Sequence, residues 1–443
     1  MRHNLSPTTL TASAMITGVF SCAALAVSVG RPLYADGAYY LLSILASRDL
    51  PHFAWTRIGA TLITQTPLIL AMRVGVSDIT WLAYIFGAGL FLPPVLAFTA
   101  TTLLTRHDPL LFTVNAVIIF ACYFPTSMLI MGEFHILYAL AWCGFVLLIT
   151  GKADKVLGSV VVVMLAIAIA ASYEISVLAC PLLMLASGWR IRETGSPLAR
   201  GILLLAMAPL GAGVMIGALG ILAPRDPTNA GQFLQALRWA FGNVTLLGIS
   251  GLVAAAGAAS LLAPRDRRVA AAGIAAVCLG FGWELARLNN GPALGDSFSQ
   301  RAQVVPIILG AVLVCGVYAW RRARSTAPRH WRFNPWPLVL PGLMVVMLDV
   351  HDSLGWLSFL DRFCTVLTDV KEDAAAFPGE PVAQGYGWPW TYPTLSLLLR
   401  APGSVTLVRY PTPNLWQPFD PDGPLPDIAS YKTAGGMCQL VSR

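Results

Sequence analysis

The chain has 443 residues, of which 56% are hydrophobic and only 12% are charged. Its mean hydropathy of +0.67 and its repeated long apolar runs exclude a soluble fold, because a helix that crosses a bilayer needs about 20 apolar residues. The formal net charge is +7, but the cations of a membrane protein collect in cytoplasmic loops, so nucleic acid is not an expected partner. We expect an all-α polytopic membrane protein in a lipid bilayer.

The first apolar run, at about residues 9–30, follows Arg2, which we expect to stay in the cytoplasm. A cleaved signal peptide is the alternative interpretation, since Ala24 and Ala26 resemble the small residues of a cleavage site. Both interpretations place the next segment, residues 31–42 (RPLYADGAYYLL), outside the cytoplasm.

The direction of all later spans depends on residues 57–76, which either cross the membrane or lie along its outer surface. If they lie on the surface, the inside loops total 50 residues with 15 Lys and Arg, whereas the outside loops before the tail total 97 residues with 8. This asymmetry follows the positive-inside rule, so we predict 11 spans with a cytoplasmic N-terminus. The predicted spans are residues 9–30, 80–104, 110–127, 132–150, 156–170, 175–188, 201–222, 244–263, 269–283, 303–320 and 336–350.

Residues 156–188 are long for one upright helix and short for two. We predict two helices with a turn at Ser172–Glu174 (SYE). A single span would reverse every later loop and would place the basic run RRARSTAPRHWR outside, which the positive-inside rule opposes.

After residue 350 the composition changes, and Pro, Gly, Asp and Trp become frequent. We therefore predict a transmembrane domain over residues 1–350 and a small extracytoplasmic α/β domain over residues 351–443, with strand-like runs such as SVTLVRY. Cys364 and Cys438 both lie in this tail, and an oxidising compartment would allow them to form a disulfide. The other six cysteines lie in apolar runs, and no Cys/His pattern predicts a metal site.

Four acidic residues lie at span ends that the predicted topology places outside: Asp36, Glu133, Glu174 and Glu284. Asp36 opens the run DGAYYLLSILAS, a predicted short amphipathic helix, where it is either only the N-cap or a general base. Glu133 and Glu174 have the alternative role of complementing a helix dipole. Glu284 has the alternative of an ion pair with Arg287, three residues later.

Other polar residues on the same side are candidates for substrate contacts. Arg287 and Arg301 flank the loop LNNGPALGDSFSQ, and a guanidinium can bind a phosphate through two hydrogen bonds, although loop solvation is the alternative. Tyr39 suits an interfacial position, and Gly37 would let a substrate approach Asp36 closely.

His135 follows Glu133 by two residues, about 200° around a helix, so the two side chains cannot share one face.

The order of these elements resembles the GT-C glycosyltransferases, which transfer a sugar from a polyprenyl-phosphate lipid to an acceptor outside the cytoplasm. The resemblance covers residues 9–222: an acid opens the first outside loop, a basic turn follows the second span, and Glu133 opens the fourth. Family members commonly carry an Asp or a pair of acids in that loop, whereas here Asp36 is followed by Gly37. The resemblance implies a polyprenyl-phosphate sugar donor, a glycan or lipid acceptor and no required cofactor. Catalytic roles would fall to Asp36 and Glu133, and substrate contacts to Glu174, Arg287, Arg301, Tyr39 and His135.

Three other functions are open from the sequence. A transporter or flippase would use the same acids as proton or substrate sites, but the inverted repeats that favour it are absent. An envelope glycan polymerase or ligase would have a long outside loop rich in Arg and His, whereas the loops at 223–243 and 284–302 are modest. A non-catalytic assembly subunit is the third.

The chain contains 25 Arg and only 4 Lys, a bias typical of a GC-rich bacterial genome. We therefore expect a bacterial inner membrane, with the C-terminal tail in the periplasm.

Overall fold

In the computed structural model, most of the described residues are helical. The described residues contain no β-strand, so the protein is all-α over that part of the chain. The strand-like run SVTLVRY, at residues 404–410, lies outside the described residues. The described residues are 7–50, 55–125, 133–224, 241–261, 304–323, 333–369, 391–400, 428–431 and 437–438, with single residues and short runs elsewhere.

Several helices begin at short polar side chains that cap the first turn. Asp78, Asp108 and Ser196 each accept a hydrogen bond from a backbone N–H of the helix that follows. The helices are α1 (Pro7–Ser28), α2 (Asp36–Ser47), α3 (Ile58–Arg73), α4 (Ile79–Thr105), α5 (Pro109–Ile118), α6 (Glu133–Ile149), α7 (Val156–Ala170), α8 (Ser176–Glu193), α9 (Pro197–Leu222), α10 (Val244–Ser260), α11 (Val304–Ala323), α12 (Trp336–Asp369) and α13 (Tyr392–Leu399).

Four of these helices are long and apolar enough to cross a membrane by length and composition: Thr8–Ser28, Ile79–Thr105, Pro197–Leu222 and Trp336–Leu367. They support a lipid bilayer as the protein's environment. Apolar helical segments of only 10–17 residues lie in five further helices, α5, α6, α7, α10 and α11. The count of 11 spans therefore stays a prediction.

The structure confirms two helices in residues 156–188, since α7 ends at Ala170 and α8 begins at Ser176. Both helices pack against α9. The approach is close because α9 presents glycines to the turn between them: a Cβ added at Gly217 would lie only 2.6 Å from the carbonyl oxygen of Glu174. Helix α9 thereby determines the position of Glu174.

Replacing Gly217 with Ala is expected to lower the free energy of unfolding by about 1–3 kcal/mol, because the new methyl group overpacks against backbone atoms. Gly211→Ala in the same helix is the control. A Cβ at Gly211 meets nothing within 4 Å, so this change should raise stability by about 0.5–1 kcal/mol through helix propensity. Thermal unfolding of the purified variants in one detergent measures both, and equal midpoints would contradict the close packing.

The predicted domain boundary after residue 350 falls inside α12, which continues unbroken to Asp369. The composition becomes more polar there, yet the helix persists because Asp349, Asp352 and Ser353 are buried rather than solvated. A change in composition therefore does not end the helix at this point.

The described residues of the tail pack onto the rest of the protein. Cys438 forms a disulfide with Cys364 of α12, the pairing expected from the sequence. Every residue of α13 is buried, and α13 contacts α2. The Arg48 guanidinium at the end of α2 lies 5.7 Å from the centre of the Tyr431 ring. The tail thus covers the helix that begins with Asp36.

Candidate active site

Two of the predicted acids meet at one guanidinium. Arg57 Nη1 donates to Glu133 Oε2 at 2.8 Å, and Arg57 Nε donates to Glu174 Oε1 at 3.0 Å. The guanidinium also lies 4.9 Å from the centre of the Tyr173 ring. Arg57 therefore connects the start of α6 to the turn between α7 and α8, a role for which the sequence did not single it out.

Two hydroxyl groups complete this arrangement. Tyr40 of α2 donates to Glu133 Oε1 at 2.7 Å, and Thr56 donates to Glu174 Oε1 at 3.1 Å. We call Tyr40, Thr56, Arg57, Glu133 and Glu174 the Arg57 network. Both oxygens of Glu133 accept hydrogen bonds within it, so this buried carboxylate holds the geometry of its neighbours.

Charge and burial keep Tyr40 protonated and Arg57 charged. Burial raises the pKa of Tyr40 well above its ordinary value and Glu133 raises it further, so the phenol keeps its proton and donates. Burial by itself would lower the pKa of Arg57, but the attraction of Glu133 and Glu174 raises it well above its ordinary value. The guanidinium is charged at every physiological pH.

Asp36 lies at the first position of α2, beside this network. The predicted N-cap position is wrong: the cap residue is Ala35, and Asp36 is the first residue of the helix. Asp36 and Tyr40 are one turn apart on the same face of α2, and the charge of Asp36 acts on both Tyr39 and Tyr40. Asp36 is partly exposed, whereas Glu133 is buried.

The backbone around Asp36 is tightly constrained. Ala35 has φ 51° and ψ −129°, a conformation that favours glycine and costs of order 1–3 kcal/mol in other residues. A Cβ added at Gly37 would lie 1.7 Å from the carbonyl oxygen of Pro32. The space beside Gly37 is therefore filled by the protein's own backbone, and the predicted opening for a substrate at that residue is wrong.

The remaining predicted site residues differ in where they lie. Tyr39 is partly buried next to Asp36, and burial together with the charge of Asp36 raises its pKa to about 12. His135 is buried with its ring 4.2 Å from that of Phe134, and it is not in the Arg57 network. Glu284, Arg287 and Arg301 lie outside the described residues.

A second buried ion pair anchors the segment that precedes Asp36, and the sequence did not indicate it. Arg31 Nη1 donates to Asp349 Oδ1 at 3.0 Å and to Ser353 Oγ at 2.7 Å. Both charged side chains are almost fully buried. The pair joins the 3₁₀ turn Arg31–Leu33 to α12. Helix α12 therefore holds the segment before Asp36, and the Arg57 network holds α2 through Tyr40.

Among the described residues, no three His, Cys, Asp or Glu side chains form a group that could hold a metal ion. Comparisons with protein-family models, with curated proteins and with solved structures found no match. The function is therefore inferred from the chemistry of these side chains. Their arrangement provides one partly exposed carboxylate, Asp36, beside the cation Arg57, which is paired with two other carboxylates.

Proposed function

We propose that the protein is a GT-C-type membrane glycosyltransferase that moves a sugar from a polyprenyl-phosphate donor to an extracytoplasmic glycan or lipid acceptor. One observation carries the proposal: Asp36 lies partly exposed at the start of α2, beside the Arg57 network. A general base must reach the proton that it removes, so the partly exposed Asp36 suits this role better than the buried Glu133.

The reaction is a single displacement. The acceptor oxygen forms a bond to the anomeric carbon while its proton passes to the Asp36 carboxylate. The bond between that carbon and the phosphate oxygen breaks, and polyprenyl phosphate leaves with the electron pair. One base and one direct displacement invert the anomeric centre, by analogy with inverting glycosidases.

The roles of the other side chains follow from their contacts. Glu133 and Arg57 are positioning residues, because they hold α2 through Tyr40. Glu174 is less buried than Glu133 and borders the same network, so it is the better candidate for orienting a substrate hydroxyl. Arg287 and Arg301 are proposed to bind the lipid phosphate, since guanidinium groups stabilise a leaving phosphate without giving up a proton.

We place this site on the periplasmic side of a bacterial inner membrane, with the N-terminus in the cytoplasm and the tail in the periplasm. The distribution of Lys and Arg supports this orientation. The Cys364–Cys438 disulfide supports an oxidising compartment for the tail.

A transporter or flippase of a lipid or glycan is the second candidate. The buried Arg31–Asp349 pair favours it, because ionisable groups inside membrane helices often mark proton or substrate pathways. Flux of a lipid or glycan in proteoliposomes, without any covalent product, would identify this activity.

Mass spectrometry of envelope glycans and lipids from cells with and without the protein tests the proposal. We expect deletion to remove a sugar from one envelope component and to cause a polyprenyl-phosphate sugar to accumulate. If no envelope component loses a sugar and no lipid-linked sugar accumulates, the protein is not a transferase of this kind.

A further inference from the structure

Among the buried hydrogen-bond donors that have no partner within the described residues, two lie at the same turn of α12. They are the indole Nε1 of Trp356 and the hydroxyl of Tyr386. Trp356 is 2% exposed and Tyr386 is 5% exposed, so bulk water does not solvate them. A buried donor without an acceptor destabilises the folded protein, and native structures rarely keep one without a ligand, an ion or an ordered water.

Both donors lie against the same turn of α12. A Cβ added at Gly355 would lie 2.1 Å from the Tyr386 hydroxyl oxygen, so only glycine lets the phenol approach this closely. The Tyr34 ring packs edge-on against the Trp356 ring at 5.4 Å, and Tyr34 also interacts electrostatically with Tyr386. Asp352 lies one turn before Trp356 on the same face of α12.

The charges around this point are mostly negative. Asp349 and Asp352 are both buried on α12, while Arg31 is the cation held by Asp349. His351 Nδ1 lies 3.4 Å from Asp352 Oδ1 and is charged only if protonated. An anionic ligand would be repelled here. A neutral ligand with hydroxyl groups suits the chemistry, because each hydroxyl can accept from Trp356 or Tyr386 and donate to a carboxylate.

An apolar groove lies next to these groups. Its lining includes Gly30 and Leu33, on either side of Arg31, and Leu360, one turn beyond Trp356. It continues between α1 and the tail, past Val27 and Leu399. The apolar lining of this groove suits part of an acyl or isoprenoid chain whose polar end would lie at the buried donors.

We infer that the polar cluster of Arg31, Asp349, Asp352, Trp356 and Tyr386 binds the uncharged sugar headgroup of a glycolipid whose chain lies in this groove. Tyr34, which contacts Trp356, is two residues before Asp36 in the chain. We therefore assign the cluster as the acceptor site. This assignment rests on the proposed function, whereas the binding of a sugar headgroup does not.

Thermal unfolding of the full chain in lauryldimethylamine oxide tests the binding, with n-octyl β-D-glucoside added below its micellar concentration as the probe. We expect the glucoside to raise the unfolding midpoint of the wild type saturably and sodium octyl sulfate not to. Trp356→Phe and Tyr386→Phe each remove an unpartnered donor. Without glucoside Tyr386→Phe should be at least as stable as the wild type, whereas Trp356→Phe also removes buried ring volume and should unfold at a lower temperature. Each variant should bind glucoside about two- to tenfold more weakly than the wild type.

Trp336→Phe is the matched control, because Trp336 lies at the start of the same helix and is 69% exposed. It should keep the full effect of glucoside. The inference is overturned if glucoside does not stabilise the wild type. It is also overturned if both donor variants respond to glucoside as strongly as the control, because the two donors would then bind only water. The binding assay needs no transfer activity, so the two proposals can fail separately. If the protein transfers no sugar but still binds glucoside, the proposed function is refuted and the binding site stands.

Discussion

Asp36→Asn is expected to lower sugar transfer by about 10²- to 10⁴-fold, because an amide of the same shape cannot accept the proton of the acceptor hydroxyl. The fold should persist, since the amide has nearly the same size and shape as the carboxylate that it replaces. Product formed per amount of purified protein gives the size of the loss. The unfolding midpoint in the same detergent shows whether the variant is folded.

Asp49→Asn is the matched control for this experiment. Asp49 is exposed just beyond the other end of α2, where its carboxylate accepts a hydrogen bond from the backbone N–H of Leu50. It should keep wild-type transfer. A folded Asp36→Asn variant with normal transfer would remove Asp36 from the base role, and Glu174 would then be the next acid to replace.

Arg57→Met is expected to lower the free energy of unfolding by about 3 kcal/mol. The substitution leaves Glu133, which is only 5% exposed, without its cation, and breaking a buried ion pair from one side typically costs 3–5 kcal/mol. We take the lower end because Arg57 is 22% exposed and water screens part of its interaction. Equilibrium unfolding in detergent measures the change.

Two further variants separate this effect from a general loss of charge. Arg73→Met at the exposed end of α3 removes a cation without uncovering a buried acid, so its stability should stay within about 0.5 kcal/mol of the wild type. Adding Glu133→Gln to Arg57→Met should restore part of the stability, because the neutral amide still accepts from Tyr40. If Arg57→Met is as stable as Arg73→Met, the Arg57 network does not hold α2.

The sequence alone determined the features that depend on neighbours within a few residues. Apolar runs indicated the positions of helices such as α4 and α9, and the SYE turn divided residues 156–188 in two. The pairing of Cys364 with Cys438, which are 74 residues apart, was indicated instead by the polar region that both share. Turn residues act over a few positions, and apolar length is read along one continuous run, so both can be recognised before the fold is known.

The contacts that define the candidate site depended on the tertiary structure. Arg57 reaches Glu133 over a sequence separation of 76, and Arg31 reaches Ser353 over one of 322. The closeness of Gly37 to Pro32 likewise depends on how the 3₁₀ turn meets α2. Composition predicted a separate extracytoplasmic domain from residue 351, whereas α12 continues across that boundary with Asp349 and Asp352 buried. The sequence shows which side chains carry charge. Only helix packing brings two side chains of opposite charge within hydrogen-bonding distance of each other.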